Sequence, residues 1–129
     1  QLLEHPIATG AAYDEYLRAR EGLNAFNVSG LQQAMRHLER AAQLEPDNVY
    51  VLRGLGRACW AAVNHGVSDD VTQLDAALRY ADAIERLQPD SPYVAEIRGI
   101  VAFARGDAER GLRHLAVAHK AMPTDEDVG

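Results

Sequence analysis

Three prolines set the strongest constraint on what this chain can fold into. Pro89 and Pro123 lie 34 residues apart, and Pro46 lies 43 residues before Pro89, nine more than that period. The residues leading into each proline repeat as well. Ala34, Leu38 and Ala41 precede Leu44-Glu45-Pro46-Asp47. Ala77, Ala81 and Ile84 precede Leu87-Gln88-Pro89-Asp90, and Gly111, Leu115 and Ala118 precede Met122-Pro123-Thr124-Asp125. Further upstream, Gly22, Gly56 and Gly99 share one place in the period. Such a repeat points to one supersecondary unit copied three times, because stacked copies bury a face that none can bury alone.

The unit reads as a pair of helices. Small or apolar residues spaced four and then three apart form one helical stripe. The proline stops the second helix of each pair, and the small residues let the two helices approach closely. Abundant Ala, Leu, Glu, Arg and Gln with few β-branched residues favours helix throughout. Six helices are predicted, over roughly 12–27, 30–44, 49–63, 73–87, 92–105 and 108–121. For caps, Ser29 with Gln32 and Thr72 with Asp75 have capping-box spacing, and Gly106-Asp107 offers a turn followed by a cap. The nine extra residues fall in the middle unit, in the polar stretch from Asn64 to Val71, and read as a surface loop.

This pattern resembles the tetratricopeptide repeat, a helix–turn–helix unit of 34 residues. The resemblance covers 15–48, 49–91 and 92–125, after a lead-in over 1–14 and with a short acidic tail over 124–129, so that 1–129 is one domain. It implies an all-α, right-handed superhelical solenoid of three repeats. Ala25, Cys59 and Ala102 stand where the family usually has a large aromatic, and Glu21 and Arg98 where it has Leu, which implies a shifted packing of the first helices. The stretch Ala12-Tyr13-Asp14-Glu15-Tyr16-Leu17-Arg18-Ala19-Arg20 is similar to the opening of certain bacterial repeat regions, as is the lengthened second repeat around Leu55-Gly56-Arg57-Ala58-Cys59-Trp60. Those regions lie C-terminal to serine/threonine kinase, adenylate-cyclase-like or DNA-binding regulatory domains. The narrower likeness implies a regulatory or scaffolding part of a larger bacterial protein, and the missing initiator Met agrees with a segment of a longer chain.

The resemblance also implies where a ligand sits. The first helix of each repeat lines a concave groove, which Tyr16, Tyr50 and Tyr93 would face in one column and Phe26, Trp60 and Phe103 in another. Aromatics offer large contact area at low entropic cost and suit an extended peptide or a helix, although at helical spacing they also serve as core. Arg53 and Arg57 lie one turn apart and can orient an acidic group; alternatively Glu96 neutralises Arg53 in a salt bridge. The clamp with which some family members grip acidic C-termini is absent, since Ala19, Leu23, Glu96 and Ile100 occupy its places. The expected function is therefore non-catalytic: binding of a protein or peptide partner, or of another domain of the same polypeptide. Self-association is the alternative, because no polar capping helix follows the third repeat.

Other classes are disfavoured. Nineteen acidic against 13 basic residues give a net charge of -6, which opposes nucleic-acid binding. No apolar run is long enough to insert into a membrane, and the N-terminus lacks the features of a signal peptide, so cytoplasm is the default location. Gly54-Leu55-Gly56 has no third glycine and lies mid-helix, where small residues serve a helix crossing rather than a phosphate. No enzyme motif and no cofactor is expected. Nor is a metal: His114 and His119 lie on different sides of one helix, His37 and His114 are read as pointing outward, and His65, Asp69 and Asp70 as a solvated loop. The single Cys59 is expected to be a buried, inert thiol. Asn27-Val28-Ser29 matches a glycosylation sequon, but capping by Ser29 accounts for it.

Overall fold

The structure, a computed structural model, describes residues 10–25, 27–66 and 70–121. Among these there are six helices and no strand: α1 (Gly10–Asn24), α2 (Val28–Leu44), α3 (Val49–Asn64), α4 (Asp70–Leu87), α5 (Pro92–Ala104) and α6 (Ala108–Ala121). Every predicted helix is present, with ends displaced by three residues at most.

Pro46 and Pro89 act as expected, and the residues after them do more; Pro123 lies outside the described residues. In Glu45-Pro46-Asp47-Asn48 the chain leaves α2, and the Asn48 N–H donates to the Glu45 carbonyl at 3.3 Å; in Gln88-Pro89-Asp90-Ser91 the Ser91 N–H donates to Gln88 at 3.0 Å. Each turn then caps the next helix. Asn48 Oδ1 accepts from the N–H groups of Tyr50 (2.9 Å) and Val51 (3.2 Å), and Ser91 Oγ accepts from that of Tyr93 (3.3 Å). Pro92 opens α5, where its missing N–H is no loss. One turn used twice therefore sets Tyr50 and Tyr93 at the same place in α3 and α5.

Two of the anticipated caps are corrected. Asn27, not Ser29, caps α2: its Oδ1 accepts from the Gly30 N–H at 2.6 Å, and Ser29 lies inside the helix. An asparagine aimed at N3 is at least as good a cap as serine, and this one starts the helix earlier. Likewise α4 begins at Asp70, which puts Thr72 within its first turn rather than before it. Gly106-Asp107 behaves as read. Gly106 has φ 86°, the Gly106 and Asp107 N–H groups close the end of α5 on Phe103 and Ala102, and Asp107 Oδ1 caps α6 through the Arg110 N–H. Residues 67–69 of the inserted loop and residues 122–129 lie outside the described residues.

Packing is densest within the pairs α1–α2, α3–α4 and α5–α6; α2–α3 and α4–α5 also touch, as do α3 and α5. Glu15 meets His37 while Gly22 meets Gly30, so α1 and α2 are antiparallel. Tyr50 beside Tyr93, Arg53 beside Glu96 and Gly56 against Ile97 show α3 and α5 running side by side in one direction. The apolar interior falls into two clusters. One joins α1, α2 and α3 around Leu31, Leu38, Val51 and Leu55; the other joins α3, α4 and α5 around Leu52, Leu74, Ile84 and Ile97. Helix α3 supplies both, and Met35 and Tyr80 pack against both.

Small residues bring the helices together. Gly54 lies over Leu38 and Gly56 over Ile97, so Gly54-Leu55-Gly56 does serve helix crossings. The closest approach is Gly22 to Gly30, where a Cβ on either would strike the carbonyl oxygen of the other. Cys59 is 3% exposed inside the second cluster. Burial pushes its thiol pKa up to about 11, aided by the charge of Glu39 and opposed by Arg79, so it stays protonated near neutrality. The glycine pair makes a direct test. Gly22→Ala raises helix propensity by roughly 1 kcal/mol, but its methyl meets backbone that cannot yield without moving α2. A net loss of about 1–2 kcal/mol is expected from urea unfolding, as overpacking outweighs propensity.

Candidate functional site

Helices α1, α2 and α3 enclose a cleft of about 570 Å³. Its floor is apolar and is made by Ala19 and Leu23 of α1 with Leu31 and Leu38 of α2. Its walls come from Tyr16 and Arg20 on α1 and from Tyr50, Arg53, Arg57 and Trp60 on α3, with Asn24, Asn27 and His65 at one end. Gly22 and Gly54 also line it, where α2 packs against their backbones through Gly30 and Leu38. From α1 and α3, residues 34 apart face the same space: Tyr16 and Tyr50, Ala19 and Arg53, Leu23 and Arg57.

Five of the eight residues anticipated for a groove line this cleft: Tyr16, Tyr50, Arg53, Arg57 and Trp60. Tyr93 stands just behind it. Its ring meets Tyr50 edge-on, with centroids 5.8 Å apart at 65°. Phe103 is elsewhere: 39% exposed, it covers Gly111 of α6, where no side chain stands in its way. Phe26 lies outside the described residues. Tyr16 packs partly on the first apolar cluster, and Tyr50, Trp60 and Tyr93 partly on the second. These four rings are half-buried, each packed in part on the core.

Arg53 has the role foreseen for a salt bridge. Its Nε and Nη2 donate to Glu96 Oε1 and Oε2 at 2.7 and 2.9 Å, a bidentate pair between α3 and α5. Its guanidinium also lies 4.4 Å from the centre of the Tyr93 ring. Burial opposes the charge, but the hydrogen bonds and charge of Glu96 outweigh it and hold the pKa of Arg53 above its usual value. Burial likewise raises the pKa of Tyr93, against the pull of Arg53. The two arginines one turn apart therefore do not act as a pair: Arg53 is a strut, and Arg57 is exposed.

Arg20, not anticipated from the sequence, also lines the cleft. It stands one turn after Tyr16, on the same helical face, and that spacing was the signal available. His37 is corrected too. It does not point outward but turns its Nδ1 to Glu15 Oε1 of α1 at 2.6 Å. Of the loop residues weighed as metal ligands, Asp69 and the side chain of Asp70 lie outside the described residues. Among the described residues no three His, Cys, Asp or Glu side chains gather, and no helix is long and apolar enough to cross a membrane. No protein-family model matches the chain, and no curated protein is significantly similar to it.

The strut makes a prediction about stability. Arg53→Ala and Glu96→Ala should each lower the unfolding free energy, and the double variant should lose less than their sum. A coupling of about 1–2 kcal/mol in a double-mutant cycle is expected for a half-buried, bidentate pair.

Proposed function

We propose that the chain is a non-catalytic interaction module of the tetratricopeptide-repeat kind. Its three helix pairs coil into a right-handed superhelix, and it binds an extended peptide of a partner protein, or of another domain of its own polypeptide, in the cleft between α1, α2 and α3. The observation that carries this reading is the cleft itself. Residues one sequence period apart, Tyr16 and Tyr50, converge on a preformed space that also holds Trp60 and two arginines. Amphipathic rings with an apolar floor give contact area, and the cations give direction. The likeness to bacterial regulatory proteins makes a signalling or scaffolding role the natural setting.

A displayed library of random peptides tests the site. Peptides enriched on the native chain should change the emission of Trp60, which is the only tryptophan. They should bind at least tenfold more weakly to a Tyr50→Ala/Arg57→Ala variant with an unchanged circular dichroism spectrum. Equal binding to that variant would move recognition away from the cleft.

Self-association is the second reading, favoured by α6. There Leu112 and Val117 remain 62% and 60% exposed, and apolar surface left open in this way is a common mark of an interface. Light scattering over a concentration series should then show mass rising toward a dimer, with Leu112→Gln/Val117→Gln holding the chain monomeric.

A further inference from the structure

The charge of the cleft is opposite to that of the chain. The protein carries a net charge of -6, yet Arg20, Arg53, Arg57 and His65 line the cleft, and among the described residues no Asp or Glu does. Arg53 is neutralised by Glu96 from behind. Arg20 borders Asp14 and Glu21 on its outer side, but among the described residues neither it nor Arg57 has an ion-pair partner. Exposed arginines without partners occur elsewhere, Arg86 of α4 among them. Here, however, two such arginines on different helices line one cavity, beside aromatic rings and over an apolar floor.

From this segregation of charge we infer that the cleft takes an acidic peptide segment, whose Asp or Glu carboxylates are read by Arg20 and Arg57 while Tyr16, Tyr50 and Trp60 hold an apolar side chain between them. The inference rests on the reading of the cleft as a peptide site and adds its chemical preference. A guanidinium matches a carboxylate in a planar, two-pronged contact, and around it the low-dielectric floor strengthens the attraction. The overall negative charge disfavours a polyanion as long as a nucleic acid, but a short acidic segment meets only the local field. Glu96 is the specificity element: by holding Arg53 it limits the free cations of the cleft to the other two.

The test titrates the chain with a capped hexapeptide containing three glutamates and one leucine, followed by Trp60 emission and by anisotropy of a labelled copy. Its controls have the glutamates replaced by glutamines or by lysines. The acidic peptide should bind at least tenfold more tightly than either control, and raised salt should weaken it. Arg20→Ala and Arg57→Ala should each cost about tenfold, and both side chains are exposed enough for the variants to fold. Glu96→Gln should release Arg53 and tighten the acidic peptide about threefold. Three outcomes would overturn the inference. Glutamine or lysine peptides that bind the cleft equally well, with a Trp60 response, would remove the acidic preference and leave the peptide site standing. Silence of Trp60 toward every peptide would remove both. A single-stranded oligonucleotide binding more tightly than the acidic peptide would assign the cations to phosphate. A peptide with the sequence of residues 122–129, which carries Asp125-Glu126-Asp127, forms a further arm. If it binds as the acidic hexapeptide does, it supports the charge reading and names the chain's own tail as a ligand.

Discussion

Helix α3 is gripped on two sides, and the other features of the molecule depend on that grip. Val51, Leu55 and Ala58 belong to the apolar cluster shared with α1 and α2, while Leu52 and Cys59 belong to the one shared with α4 and α5. A helix apolar on two faces has only one left for anything else. On α3 that face carries Tyr50, Arg53, Arg57 and Trp60. The grip is possible because Gly54 and Gly56 let Leu38 and Ile97 come down onto the helix from opposite neighbours. Larger residues there would hold the helices apart and weaken the contacts on which dispersion and burial depend. The cleft is thus a consequence of the core, because the packing that fixes α3 also fixes the direction of its polar face.

Electrostatics divides the labour among cations that look alike in sequence. Arg98 reaches Asp82 and Glu85 across the α4–α5 contact, and Arg105 reaches Asp75. Arg53 reaches Glu96 between α3 and α5. All three tie helices together: the bridges of Arg98 and Arg105 are solvent-exposed and add modestly to stability, while the half-buried, bidentate Arg53–Glu96 pair contributes more. Arg20 and Arg57 are left out of this arrangement. Which cations stay open in the cleft is therefore set by which arginines the fold has already paired.

Much of the architecture was legible in the sequence because proline and glycine act locally. Pro46 and Pro89 end helices through steric rules that tertiary structure does not override, and Gly106 marks a left-handed backbone position. The caps were harder to read. Ser29 and Asn27 both have a suitable side chain, and the structure uses Asn27, whose Oδ1 accepts from the Gly30 N–H while Gly30 itself packs on Gly22. The site was legible in part for a related reason. The period brought Tyr16 and Tyr50 to one place, and the bridge from Arg53 to Glu96 followed from their spacing of one lengthened sequence period. Phe103 escaped because the glycine at 111 gives its ring a resting place on α6, a choice made by a residue on another helix. Arg20 escaped because its neighbour Ala19 occupies the position equivalent to Arg53, and only the cleft reveals that both line it.

The most direct measurement is an amide and indole chemical-shift map of the labelled chain titrated with the acidic hexapeptide. If the account is right, the largest shifts gather on Tyr16, Arg20, Tyr50, Arg57 and the Trp60 indole, with Glu96 and Tyr93 following as Arg53 responds. Shifts centred instead on Leu112 and Val117 of α6, with the cleft silent, would contradict it.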